Sequence, residues 1–446
     1  MVAIKKYFYL YYAIIPLLTI GISLGFTTFP IAFFSLLPLL VLTNRHTVGL
    51  FFVMYGGTLG GVTRAMFPFL PVYGILLELL GVLLMWDLIL NLIRIRNRAF
   101  GLIFITLAFF AIFYFLGPMD GFAKNKYLSM CIHGIFMVIG YYAFAQSKNV
   151  DAKGLMGILI LMAICFYSYV ITKGSFVRGG LLDFNWFRSQ CEWYDYINNY
   201  ESDLLIGYQQ IGMSALFGIA VYLSQTQLKL WESAYFVGCA SLLVLISGAR
   251  QAILGLVLII AFRFVVFKMS NVNRNIIGRL LWITIGLISV FIVLLFALQN
   301  SGSDVVTNTL TSGDAGRMGL YMAAIDMYQN NPLMGCGIGS YHALTGEAWP
   351  HNLFLELMCE TGLIGLIISI MLIVIPLRLN KQGLLHITMS NQFVFLILLA
   401  SFVRVMVSVD LRVSIELFSA VYAITAVKST NVKSKHRSQL LKRTGK

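Results

Sequence analysis

The sequence predicts an all-α, polytopic membrane protein with about fourteen transmembrane helices. Three observations carry that reading. The 446 residues are 59% hydrophobic and only 11% charged, whereas a soluble domain carries about a quarter charged residues. The apolar residues fall in uninterrupted blocks, many near the ~20 residues that a helix needs to cross the hydrocarbon layer. The short alternating segments of a transmembrane barrel are absent, and helices satisfy their own backbone hydrogen bonds in lipid.

The blocks lie near 7–25, 29–43, 48–62, 70–92, 99–117, 129–146, 154–172, 206–224, 230–247, 251–267, 279–297, 352–378, 389–408 and 413–427. The first follows Lys5 and Lys6 and precedes no small-x-small cleavage pattern, so it reads as an uncleaved span. The third is short and glycine-rich, with Gly56, Gly57, Gly60 and Gly61. The ninth and tenth are split only by the stretch from Ser247 to Arg250. Together they form one transmembrane unit, 1–427, with a basic tail at 428–446.

Orientation follows from the distribution of lysine and arginine. With a cytoplasmic N-terminus, cations in the inside segments outnumber those outside by about two to one, and both termini lie inside. The net charge of +14 is then mostly an orientation signal. The tail suits anionic lipid headgroups; its direct junction with a span argues against nucleic acid, the other partner of a basic run.

Two outside loops are long. One, 173–205, carries Arg178, Arg188, Phe184, Trp186, Phe187, Trp193 and Tyr194; the other is 298–350. Loops of this length with mixed charge, glycines and aromatics read as functional. Cys191 and Cys336 fall one in each; a disulfide and two free thiols are both open readings.

The second loop holds the densest pattern. Apolar residues from Arg317 to Tyr328 recur at helical spacing, Asn331 and Pro332 stop that helix, and a turn with Gly335, Gly337 and Gly339 follows. Pro350 suits the first turn of the next helix, which would set His351 at its N-terminal end. There the free N–H groups favour an anion and keep an imidazole neutral, so His351 is a candidate general base; an interfacial histidine is the other reading. Arg250, in the short turn between two apolar spans, is costly unless it faces a partner or a polar cavity, or it snorkels. Arg317 begins a helix, where a cation is disfavoured; it binds an anion or is simply solvated. Glu356 and Glu360, one turn apart, would line a partly wet cavity with His351 and Asn352. Their spacing matches no common zinc motif, so neither a metal nor a cofactor is expected. Gly362 and Gly365 read as helix-packing residues.

Arginine forks and a histidine on one wet surface suit a lipid pyrophosphate: the arginines hold the diphosphate and the base serves an acceptor hydroxyl. The segment SGARQAILGL resembles the "SGSR-small-apolar" signature of the O-antigen ligase/O-antigen polymerase superfamily. The stretch AGR…NPLMGCGIGSYH…WPHNLFLELMCETGLIGL resembles its "GR…PLLGxGxGxF…HNxxLExxxExGxxG" signature. Ala249 departs from the serine common before the arginine. The resemblance implies a bacterial inner-membrane, metal-independent, inverting glycosyltransferase of the C type with a periplasmic active site. It implies pyrophosphate binding by Arg250 and Arg317 and a base at His351; beside these, Asn352, Glu356, Glu360, Arg178 and Arg188 are candidate supporting residues. The implied partners are an undecaprenyl-pyrophosphate-linked glycan, an acceptor glycan lipid, membrane lipids, and chain-length regulator and flippase proteins. Two long loops favour polymerase over ligase, since they can hold two glycans. A flippase or transporter would show repeats and charges at the midplane; this sequence shows no repeat, and its candidate polar residues cluster at the outer face instead.

Overall fold

A computed structural model describes residues 43–66, 74–94, 98–146, 150–151, 154–163, 208–224, 237–238, 240–245, 247, 249–265, 318–379, 389–407 and 410–426. The predicted spans 7–25 and 279–297, nearly all of 29–43, the loop 173–205, Arg178, Arg188, Cys191, Arg317 and the tail lie outside them. The described residues form helices and their connections, with no strand among them. This agrees with the all-α expectation.

The helices are α1 Arg45–Met66, α2 Gly74–Leu84, α3 Trp86–Arg94, α4 Arg98–Leu116, α5 Gly121–Gln146 and α6 Gly154–Ala163. They continue with α7 Tyr208–Leu223, α8 Arg250–Val265, α9 Met318–Asn330, α10 Ser340–Thr345, α11 Leu353–Leu379, α12 Met389–Val407 and α13 Leu411–Ala426. By length and composition, one helix among the described residues, Leu353–Arg378, is long and apolar enough to cross a membrane; several others are apolar but shorter.

Helix α13 is the hub, packing on α4, α5, α11 and α12. Its residues from Ser414 to Ala423 are all buried. Close approach is secured by small residues and polar ties. The Ser419 hydroxyl donates to the Gly134 carbonyl of α5 at 3.0 Å, and Tyr422 meets Thr106 of α4 at 2.5 Å. The rim is the reverse: Leu83, Phe104, Ile105, Ile112, Phe115 and Leu116 are exposed. Such apolar exteriors are unusual for a soluble monomer and normal for a lipid-facing surface.

Polar contacts gather at two sets of helix ends. At one, Asp87 of α3 receives Arg45 at 3.2 Å and His46 at 3.0 Å, and the Asp151 N–H donates to the Thr47 hydroxyl at 2.8 Å. The predicted span 70–92 is broken here. A tighter turn at Met85, whose N–H donates to Val82, separates α2 from α3 and puts Asp87 in a first helical turn. The other set joins the ends of α4, α5, α11, α12 and α13 and is described next.

Candidate functional site

Helix α11 is not the continuous rod that the span 352–378 implies. Gly362 has φ 65 and breaks it, leaving carbonyls and N–H groups of both halves without helical partners. The segment after α9 supplies them. Cys336 and Gly337 N–H groups donate to the Cys359 and Glu360 carbonyls at 2.9 and 2.8 Å, and Leu363 N–H donates to the Pro332 carbonyl at 2.8 Å. The same turn joins α4, since the Ile338 N–H donates to Phe113 at 2.9 Å. Gly337, at φ 90, allows this: a Cβ there would fall 2.3 Å from the Gly117 Cα. Gly362 is therefore a fixed break in the helix, not only a packing residue.

The helix also starts later than expected. Asn352 is its cap, with Oδ1 accepting from the Phe354 and Leu355 N–H groups at 2.9 and 3.2 Å. Its amide donates to the Met406 carbonyl of α12 at 3.3 Å. Pro350 and His351 thus precede the helix, because asparagine, not proline, satisfies its first N–H groups. His351 takes φ 57, a region sparsely used outside glycine. Its Nδ1 accepts a hydrogen bond from the Trp349 indole at 3.1 Å.

Glu356 and Glu360 do not line a wet cavity with His351. Both are fully buried and face Lys126 of α5, which is itself 0% exposed. The ammonium lies 2.5 Å from Glu356 and 2.8 Å from Glu360, and Glu360 also accepts the Gly339 N–H at 3.0 Å. Charges taken out of water must be paired, and this triad does it. Burial alone would push the Lys126 ammonium toward deprotonation, but Glu356, Glu360 and Asp410 act more strongly in the other direction, so its pKa is raised. Nearby, burial pushes the Tyr341 phenol up to about 12.

Further side chains complete this end. Arg412 is ion-paired with Asp410 and lies 5.6 Å from the ring centres of both Phe122 and Trp349. Phe122 stacks on His342 at 4.0 Å. Arg404 of α12 donates to Glu416 of α13 at 3.1 Å, and Glu416 also receives the Tyr141 hydroxyl; the Arg404 Nε has no hydrogen-bond partner among the described residues. Through Trp349 the contacts run from His351 to Arg412, while Lys126 and Arg404 pair with acids on the neighbouring helices; sequence reasoning singled out none of Arg412, Arg404 and Lys126. Glu416 was the available signal: an acid inside the predicted span 413–427 demands a partner. Arg412 and Lys126 gave none, because a basic residue at a span end resembles an ordinary orientation charge. Arg250 opens α8, which packs on α7 and α12; only its backbone is described. Among the described residues Cys336 has no disulfide partner.

A family model described as O-antigen ligase matches residues 235–370. That segment contains Arg250, Arg317, the glycine turn, His351 and the broken helix. The match spans 136 of the 446 residues and supports membership of the O-antigen ligase/polymerase superfamily. No curated protein and no solved structure matches it. The match supports a membrane protein of polysaccharide biosynthesis, with a ligase- or polymerase-type function on lipid-linked glycans.

Proposed function

We propose that this protein is an O-antigen polymerase, an inverting and metal-independent glycosyltransferase of the C type. It joins undecaprenyl-pyrophosphate-linked oligosaccharide repeat units at the periplasmic face of the inner membrane. The observation that carries the reading is His351. It lies inside the matched segment, just ahead of a capped helix, at the helix ends that also gather Arg404, Arg412 and Lys126.

The chemistry divides among the residues as follows. Arg250 and Arg317 hold the diphosphate and stabilise the leaving-group charge. His351 removes the acceptor hydroxyl proton as that oxygen attacks the anomeric carbon. Asn352 fixes the helix start beside it, and the Lys126–Glu356–Glu360 triad forms a rigid polar floor. Arg178 and Arg188 reach the donor from the first long loop. Fourteen spans with both termini cytoplasmic put these groups on the periplasmic side, where flippase and chain-length regulator proteins would meet the chain. The family description itself favours a second reading, an O-antigen ligase that moves glycan onto lipid A core.

His351→Ala and Arg250→Ala are expected to insert normally and to abolish the glycan ladder in cells; an unchanged ladder refutes their roles. Purified protein given only the lipid-linked repeat unit should build a ladder. Inertness until core lipid is added identifies the ligase instead.

A further inference from the structure

The indole N–H of Trp349 can only donate. At 3.1 Å from the His351 Nδ1, it requires that nitrogen to offer its lone pair, so the neutral ring carries its proton on Nε2. The two rings meet edge to face at 5.4 Å. On its other flank Trp349 lies under the Arg412 guanidinium, which is bracketed by Phe122 and tied to Asp410. His342, Phe122, Arg412, Trp349 and His351 thus form one continuous row of ring and cation contacts. The indole is held by a planar cation whose own position is fixed from both sides.

We propose that Trp349 caps the reacting nitrogen of His351, that Arg412 holds the cap, and that the acceptor sugar releases it. This rests on the reading of His351 as the acceptor base. The base atom is Nδ1, and the acceptor hydroxyl takes over from the indole as its donor. In the step, the hydroxyl proton passes to Nδ1 and gives an imidazolium with Nε2–H retained. The oxygen electron pair forms the new bond to the anomeric carbon. The bond from that carbon to the pyrophosphate oxygen breaks, and its pair leaves with the pyrophosphate. A sugar ring has an apolar face that can replace the contacts the indole gives up. A single water has none, so the cap favours transfer over hydrolysis of the lipid-linked donor. Trp349 and Arg412 are positioning residues in this scheme.

Trp349→Phe keeps an aromatic ring for Arg412 and removes the N–H donor. With purified enzyme and lipid-linked donor, the variant is expected to release several-fold more free reducing glycan per unit transferred. Arg412→Lys keeps the charge without the planar stack and should move the ratio the same way, less far. An unchanged ratio in Trp349→Phe overturns the proposal. Nitrogen NMR of isotope-labelled histidine, with His351 assigned through His351→Asn, tests the cap without any turnover. The wild type should show Nδ1 unprotonated and Nε2 protonated, and Trp349→Phe should lose that single tautomer. A protonated Nδ1 in the neutral wild-type ring overturns the cap. The expected tautomer together with no transfer from any lipid-linked donor overturns the functional reading and, with it, release by an acceptor.

Discussion

Lys126 decides more about this protein than its place near a helix start suggests. One ammonium satisfies two buried carboxylates on another helix. Removing it leaves both uncompensated, and breaking a buried ion pair from one side costs about 3–5 kcal/mol. Lys126→Met should therefore lower stability by that order in detergent unfolding, and adding Glu356→Gln and Glu360→Gln should recover most of it. A single variant as stable as the wild type would show that the triad is not closed in the folded protein. Because the Lys126 pKa lies above its ordinary value, the contribution of this group is complete below the usual lysine range and is lost only as pH rises through the higher folded value. At this scale His351 and Asn352 were legible in the sequence, since histidine and asparagine beside an apolar run mark a helix start. Lys126, Arg404 and Arg412 were not, because their partners lie on other helices and no local pattern announces them.

At the scale of elements, the glycine turn and the break in α11 are one device. The hydrogen bonds that Gly362 removes from the helix are remade by the segment from Pro332 to Gly337. Gly362→Ala would place a Cβ 2.4 Å from the Leu333 carbonyl oxygen and force a left-handed φ on alanine. Strain of that kind costs about 1–3 kcal/mol, so the variant should unfold at lower temperature. Gly319→Ala, whose Cβ meets nothing within 4 Å, should leave the midpoint unchanged or slightly raised. Equal midpoints for the two would mean that the turn does not brace the helix. Most helices were legible because apolar blocks of spanning length are long-range averages that tolerate local error. The boundaries were less so. Helix α5 begins at Gly121, well ahead of the predicted 129, because Asp120 accepts the Ala123 N–H at 2.7 Å and Lys126 finds carboxylates inside the protein. Hydropathy alone counts both as loop.

Among the described residues, the ion pairs gather at two sets of helix ends, with an apolar rim between. One end joins the segments before α1, around Asp87 and at Asp151; the other joins the ends of α4, α5, α11, α12 and α13. These are the segments that the lysine and arginine count assigns to the cytoplasmic and outer sides. In a chain cleared of its native cysteines, Pro118→Cys should react with a membrane-impermeant thiol reagent in intact cells. Arg96→Cys should react only after permeabilisation. The reverse pattern would invert the topology and put His351 on the side without lipid-linked substrate.

The ionic knot around Lys126 also bears on how the protein is made. Its lysine and Glu360 are 234 residues apart in the chain, so the ammonium leaves the ribosome long before either acid exists. Until the first half of α11 is synthesised, the start of α5 carries a charge without its carboxylate partners. Closure of this end is thus a late event in biogenesis. Nascent chains stalled before Glu356 should be prime substrates for membrane quality-control proteases.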